Sequence, residues 1–230
     1  MAGLIEDYAL IGDMQTAALV CKDGSIDWLC LPRFDSPACF TRLLGTEDHG
    51  YWGICPATGP DEPAAAGGQP GPVRRYRGDS LILETEWQTG TGTVRVIDFM
   101  PPRDGGSPVL IRIVEGVHGH VDMECTLRLR LGYGSILPWV RRRDGRVCAL
   151  AGPDSLWLDT PVTVTGRDMA HAAAFRVTAG ERIPFVLTWR PPRPRRRCAW
   201  PRPDVPPSTA RSASGKRSCS SSRTRRPRRC

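Results

Sequence analysis

One run of residues limits the fold more than any other. Between positions 121 and 131, Val121, Met123, Cys125, Leu127, Leu129 and Leu131 alternate without a fault against Asp122, Glu124, Thr126, Arg128 and Arg130. Successive side chains of a strand point to opposite faces, so period two gathers all six apolar groups on one face. A helix would scatter them around its circumference. A strand with one dry and one wet face belongs to an antiparallel sheet laid over a core.

Much of the chain reads the same way. Short strands are expected at 8–11, 16–21, 26–30, 51–55, 81–87, 94–99, 109–117, 155–158, 162–164 and 185–189, with a hairpin over 140–149 turning at Asp144-Gly145. Gly119 is expected to turn the chain between the strands at 109–117 and 121–131. Residues 40–45 suggest one helical turn closed by Gly45. Residues 58–72, rich in Gly, Pro and Ala, suggest a surface loop or a small disordered insert. No long helix is apparent. The expected fold is all-β, a two-sheet antiparallel β-sandwich over residues 1–190.

After Trp189 the periodicity stops. Residues 191–230 hold twelve Arg and one Lys against one Asp, a net +12. The whole chain carries +8, which leaves residues 1–190 at −4. The basic character therefore belongs to the last segment alone. That segment has almost no aliphatic residues, too few to offset ordering entropy, and is expected to be disordered. Two origins compete. A basic tail would bind nucleic acid or acidic surfaces, which makes the alternative reading of the chain an arginine-tailed binding module. A shifted reading frame in GC-rich DNA also yields Arg, Pro, Ser, Ala and Cys, and the abrupt change favours it. A nucleic-acid partner is accordingly not expected.

The nine cysteines include no C-x-x-C pair and no zinc spacing with histidine, so they read as small core hydrophobes, and neither a metal nor a cofactor is expected. No basic leader precedes an apolar run, and no apolar stretch approaches the ~20 residues that span a bilayer; a cytoplasmic location without a membrane partner is expected.

Catalytic patterns are sparse. There is no G-x-S-x-G, no P-loop and no G-x-G-x-x-G before a helix. Asp104-Gly105-Gly106-Ser107 has no following helix and reads as a plain loop. His118-Gly119-His120 reads as a solvated turn rather than a metal site. Glu84 and Glu86 share a strand face and read as its wet side. Most tryptophans fall at apolar strand positions and read as core.

The stretch 23–37 is richer. Asp23-Gly24 signals a tight turn. Ile26, Trp28 and Cys30 should share one face of the following strand, with Asp27 and Leu29 on the other. Pro32 ends the ladder. Arg33, Phe34, Asp35 and Ser36 then occupy a stiff loop closed by Pro37. Asp27 with Asp35 is a conceivable acid–base pair, although an Asx turn before Ser36-Pro37 explains Asp35 as well.

Ordered motifs also carry a resemblance. Leu4-Ile5-Glu6-Asp7-Tyr8-Ala9-Leu10-Ile11-Gly12-Asp13, then Asp23-Gly24-Ser25-Ile26-Asp27-Trp28-Leu29-Cys30 and Pro32-Arg33-Phe34-Asp35-Ser36-Pro37, resemble the N-terminal region of bacterial glycoside hydrolase family 15 proteins, the glucoamylase-like and trehalase-like enzymes. The similarity continues through Arg75-Tyr76, Leu83-Glu84-Thr85, Val96-Ile97-Asp98-Phe99-Met100-Pro101, Pro138-Trp139-Val140 and Ala151-Gly152-Pro153-Asp154.

The resemblance implies a supersandwich-like N-terminal domain followed by an (α/α)6 barrel that holds two catalytic glutamates for inverting hydrolysis of α-glucosidic bonds. Residues 191–230 contain no glutamate. The expected protein is thus a non-catalytic fragment without its barrel, with no catalytic residue of its own, meeting an α-glucoside only through that barrel. On this reading Trp28 anchors the 23–37 stretch in the sandwich. Arg33, Phe34 and Asp35 face the barrel, near the rim of its substrate cleft. Sequencing the gene across codon 190 checks the origin of the last segment: the other frame is expected to encode helix-periodic sequence, and an aperiodic frame there would remove the frameshift reading.

Overall fold

The computed structural model describes residues 3–57, 71–152 and 154–191. They belong to the first of two units, Met1–Arg193, the second being Pro194–Cys230. The expected insert and the basic segment lie almost wholly outside the described residues.

Among the described residues fifteen strands follow one another: β1 (Tyr8–Gly12), β2 (Ala17–Cys21), β3 (Ser25–Cys30), β4 (Ala38–Phe40), β5 (Tyr51–Pro56), β6 (Val73–Tyr76), β7 (Leu83–Gln88), β8 (Gly92–Phe99), β9 (Val109–Arg128), β10 (Trp139–Arg143), β11 (Arg146–Ala151), β12 (Asp154–Asp159), β13 (Thr165–Arg167), β14 (Ala170–Thr178) and β15 (Arg182–Arg190). Single 3-10 turns occupy Ile5–Asp7, Arg42–Leu44 and Glu47–His49; the middle one ends at Gly45, whose N–H returns to the Arg42 carbonyl. No helix among the described residues is long and apolar enough to cross a membrane.

All pairings are antiparallel. One sheet runs β1-β2-β3-β5-β9-β14-β13, with β4 also on β3; the other runs β6-β7-β8-β9-β15-β12-β11-β10. Strand β9 belongs to both. At 20 residues it is about 65 Å long, more than one sheet of this size needs. Its first half lies between β8 and β15, its second between β5 and β14.

The expected turn at Gly119 is therefore a bend inside one strand. Val94 opposes Gly116 while Thr93 opposes His118, so Val117 is an extra residue, a β-bulge. The bulge flips the phase. Leu110, Arg112 and Val114 face inward before it, and Val121, Met123, Cys125 and Leu127 after it. Gly119, at φ +61°, holds the bend; a Cβ there would lie 2.3 Å from the Thr91 carbonyl oxygen. Glycine serves a hairpin turn and a bulge equally well, so its identity alone did not separate them.

Two other expectations change. Residues 162–164 form no strand. Strand β14 is instead present at Ala170–Thr178, although its Ala-rich sequence favours helix, because eight of its residues pair with β9. The tryptophans divide: Trp52 is wholly buried, Trp28, Trp87, Trp157 and Trp189 are half-buried, and Trp139 is exposed. Cys21, Cys30, Cys39, Cys125 and Cys148 are buried free thiols, and burial pushes the Cys125 thiol up to about 11.

The inward phase of β9 places Arg112 in the middle of the core, at 0% exposure. Its Nε and Nη2 donate to the two carboxylate oxygens of Asp98 on β8, at 2.8 and 3.1 Å. Nη1 donates to the Trp52 carbonyl and Nη2 to the Gly24 carbonyl, each at 2.7 Å. The guanidinium carbon also sits 5.3 Å from the Trp52 ring centre. One side chain from the second sheet thus satisfies two backbone acceptors of the first.

Removing one partner of such a pair strands a buried charge. Arg112→Ala is expected to lower stability by about 3–5 kcal/mol in urea unfolding. The double variant Arg112→Met with Asp98→Leu should lose much less than the two single losses added together. Strict additivity would mean that the pair is not coupled.

Candidate functional site

The stretch 23–37 starts at the β2–β3 turn. Asp23 Oδ1 accepts both the backbone N–H and the hydroxyl of Ser25, at 2.9 and 2.6 Å, which closes an Asx turn. Gly24 at φ +86° brings its carbonyl under Arg112, and a Cβ there would lie 2.3 Å from the Ile54 carbonyl oxygen.

Along β3 the expected alternation fails. Val20 opposes Ile26 and Leu19 opposes Trp28, so Asp27 is the extra residue of a second bulge. Ile26 and Leu29 consequently both enter the core at 0% exposure, and Trp28 turns away from them. Trp28 instead packs on Tyr133, 6.2 Å between ring centres.

Asp27 is buried in a polar cluster that sequence reasoning missed. The Tyr8 hydroxyl donates to its Oδ2 at 2.7 Å, and Arg42 Nη1 donates to its Oδ1 at 3.3 Å. Arg42 also reaches Ser25 Oγ at 3.0 Å, Asp23 at 3.4 Å and Glu47 at 3.4 Å, and lies over the Tyr51 ring. Burial and the Asp27 carboxylate push the Tyr8 phenol well above its ordinary range. Burial alone would raise the Asp23 carboxyl, but the Ser25 hydrogen bonds and the Arg42 charge bring it below its ordinary value. The spacing Asp-x-Ser-x-Asp around a turn was the available signal; its arginine, 15 residues beyond Asp27, was not.

Beyond β3 the loop is exposed. Arg33 Nε meets Asp35 Oδ1 at 3.2 Å, with 67% and 77% of the two side chains exposed. Phe34 is 61% exposed, and its N–H donates to the Gln15 carbonyl at 3.0 Å. Ser36 rather than Asp35 closes the loop: its hydroxyl accepts the Arg33 N–H at 3.1 Å. Asp27 and Asp35 do not form an acid–base pair, since one is enclosed by Tyr8 and Arg42 and the other pairs with Arg33 in solvent.

Behind this loop lies a cleft of about 140 Å³. Leu31, Pro37, Ile136, Gly152, Asp154 and Trp189 line it, so three loops and the end of β15 meet there. A second cleft, about 380 Å³, contains Asp168, and a third, about 460 Å³, contains Glu124. Among the described residues no group of three or more His, Cys, Asp or Glu is placed to hold a metal ion.

Glu84 and Glu86 are not a wet face. Glu84 is buried and accepts Arg77 at 2.8 and 2.5 Å and Arg75 at 2.9 Å. Glu86, Arg95, Glu115 and Arg182 oppose one another strand by strand across β7, β8, β9 and β15. They form a cross-strand row of alternating charge, with Arg95 2.7 Å from Glu86 and 3.3 Å from Glu115. These carboxylates are structural.

Comparison with known proteins gives a consistent picture. Residues 1–191 match the family described as "Trehalase-like, N-terminal". The chain is 30% identical over 211 residues to a trehalase of Mycolicibacterium smegmatis, covering 80% of this chain and 30% of that protein. It is 29% identical to the trehalase of Mycobacterium tuberculosis over the same shares. It is 36% identical over 109 residues to trehalase 2 of Sulfolobus acidocaldarius, covering 47% of this chain and 16% of that protein. The chain spans about 30% of the length of the mycobacterial relatives.

Glu84 supplies a pH test. Burial alone would raise its carboxyl; the hydrogen bonds from Arg77 and Arg75 bring it below the ordinary 4.5. A carboxyl lowered in the folded state stabilises above the unfolded value, and that gain is lost as pH falls through the folded value. The melting-temperature gap between wild type and Glu84→Gln is expected to be widest near neutrality and to shrink below pH 4.5. A gap that widens in acid would contradict the assignment.

Proposed function

The chain belongs to the trehalase-like, N-terminal family across residues 1–191, and on that premise we propose that it is the non-catalytic β-sandwich domain of a glycoside hydrolase acting on α-glucosidic bonds. The observation that carries this reading is the carboxylate content of its clefts. Inverting glycoside hydrolysis needs two carboxyl groups facing one sugar, one as acid and one as base. The three clefts described above present one each: Asp168, Asp154 and Glu124. The remaining carboxylates of the 23–37 stretch are tied to Arg42 or Arg33. The acid and base are therefore assigned to another part of the enzyme, an (α/α)6 barrel of family 15 type. The relatives' shared name makes trehalose its favoured substrate.

The domain's own role is to seat that barrel. The end of the sandwich carrying Arg33, Phe34 and Asp35 is the proposed seat; Tyr133, packed on Trp28, donates its N–H to the Ala38 carbonyl just beyond that loop. Exposed Phe34, Tyr133 and Ile136 give it an apolar character uncommon for a lone surface. Trp189, two residues before the family match ends at residue 191, lines the cleft at this end. That proximity favours it over the opposite end of the sandwich.

Two measurements test the reading. The purified 230-residue chain is expected to release no glucose from trehalose or maltose, and release above a boiled control would overturn the non-catalytic assignment. In an intact parent enzyme, Arg33→Ala and Asp35→Ala are each expected to cost about 1–2 kcal/mol of sandwich–barrel docking, seen as a lower melting temperature or reduced kcat/KM. Unchanged stability and kinetics in both would remove this loop from the seat.

A further inference from the structure

The two sheets are stitched along one side. The Tyr76 hydroxyl on β6 donates to the Leu10 carbonyl of β1 at 2.8 Å and accepts the Leu10 N–H at 3.0 Å. Arg74 donates to the carbonyls of Asp7 and Val20, at 2.7 and 3.2 Å. On the other side β10 and β13 end their sheets, each with one neighbour among the described residues. Between these two free edges lies the cleft of about 380 Å³. Leu137, Val140 and Met169 give it apolar walls, and Arg130, Arg167 and His171 give it basic ones.

Arg130 is the unusual member. Arg42, Arg103 and Arg112 are buried and each pairs with a buried aspartate: Asp27, Asp13 and Asp98. Arg130, 9% exposed, forms no ion pair among the described residues. Its Nη1 donates to the carbonyls of Leu129 and Met169 at 2.8 and 3.2 Å. Its Nε and Nη2 have no acceptor among the described residues. A largely buried guanidinium whose unused donors still reach solvent is a good oxyanion receptor, because a carboxylate fits its fork and much of the side chain's desolvation is already incurred. The only acid lining the cleft among the described residues, Asp168, pairs with Arg167 at 3.4 Å. Arg141, Arg142 and Arg143 along β10 deepen the positive field. Arg142 lies near enough to add to burial in lowering the proton affinity of His171.

The cleft also says which oxyanion. A bare tetrahedral anion would leave most of the volume filled with water against apolar walls. A carboxylate borne on an apolar body uses both features. The outer edge of β10 adds unpaired backbone donors and acceptors, which an extended chain can match. We propose that the cleft between the free edges of β10 and β13 docks an extended acidic segment of a partner polypeptide, whose carboxylate is taken by Arg130. This site is separate from the proposed barrel seat and does not depend on it.

The test uses the full 230-residue chain and a fluorescein-labelled peptide of alternating valine and glutamate, with its valine–lysine counterpart as control. The glutamate peptide is expected to bind and the lysine peptide not. Arg130→Gln should weaken binding by about tenfold or more, the loss expected for a charge-assisted hydrogen-bonded pair. Leu137→Glu and Arg167→Gln alter half-exposed or exposed positions that folding does not need, and should each weaken it at least about twofold by Coulomb terms alone. They keep the test decisive if Arg130→Gln fails to fold by circular dichroism. Residues 191–230 attract acidic peptides equally in every variant. Equal affinity across wild type, Leu137→Glu and Arg167→Gln would therefore locate binding there and overturn the proposal. Loss of peptide binding to millimolar inorganic phosphate at matched ionic strength would also overturn it, in favour of a bare anion.

Discussion

Arg112 holds the two layers of this domain in one relative position. An apolar core is non-directional, and two sheets packed through aliphatic side chains alone can slide by a residue at modest cost. A guanidinium buried between them cannot. It must meet Asp98 within its own sheet and the carbonyls of Trp52 and Gly24 in the other. A small displacement leaves a charge and two carbonyls without partners in a low dielectric. The β2–β3 turn, β5 and β8 are thereby set with respect to β9, and the polar cluster of Tyr8, Asp27 and Arg42 is built on that frame.

Bulges do the corresponding work within the sheets. One at Val117 lets a single strand serve both layers, and one at Asp27 re-aims a whole motif. Each shifts the inward phase by one residue. The consequence at β3 reaches the proposed barrel seat. Because Asp27 is the extra residue, Trp28 leaves the core and supports Tyr133 at the end of the sandwich. The loop of Arg33, Phe34 and Asp35 is tied through its backbone to Gln15 and Ser36.

The domain's polar chemistry is spent mostly on itself. Among the described residues the buried carboxylates each have a basic partner, and the half-buried ladder from Glu86 to Arg182 crosses four strands. Such self-satisfied networks rigidify a scaffold. Arg130 departs from this pattern, and the edge where it sits is also where the two sheets part.

The sequence determined the fold class and the core. Period-two runs such as residues 121–131 need no tertiary information, because the apolar face is written in the spacing, and all six of its apolar residues are buried. The hairpin at Asp144-Gly145 was legible for a similar reason: its two positive φ angles suit those residue types. The polar loop that follows β3 between Pro32 and Pro37 was legible as well. Only the tertiary structure decided the phase of β3 and β9, since a bulge is chosen by the partner strand and leaves little mark on local composition. It decided that Ala170–Thr178 is a strand, since pairing with β9 overrode an alanine-rich propensity. And it decided that Arg112 is a core residue while Arg130 is left with unused donors, because the partners of a buried charge come from distant positions that no local pattern reveals.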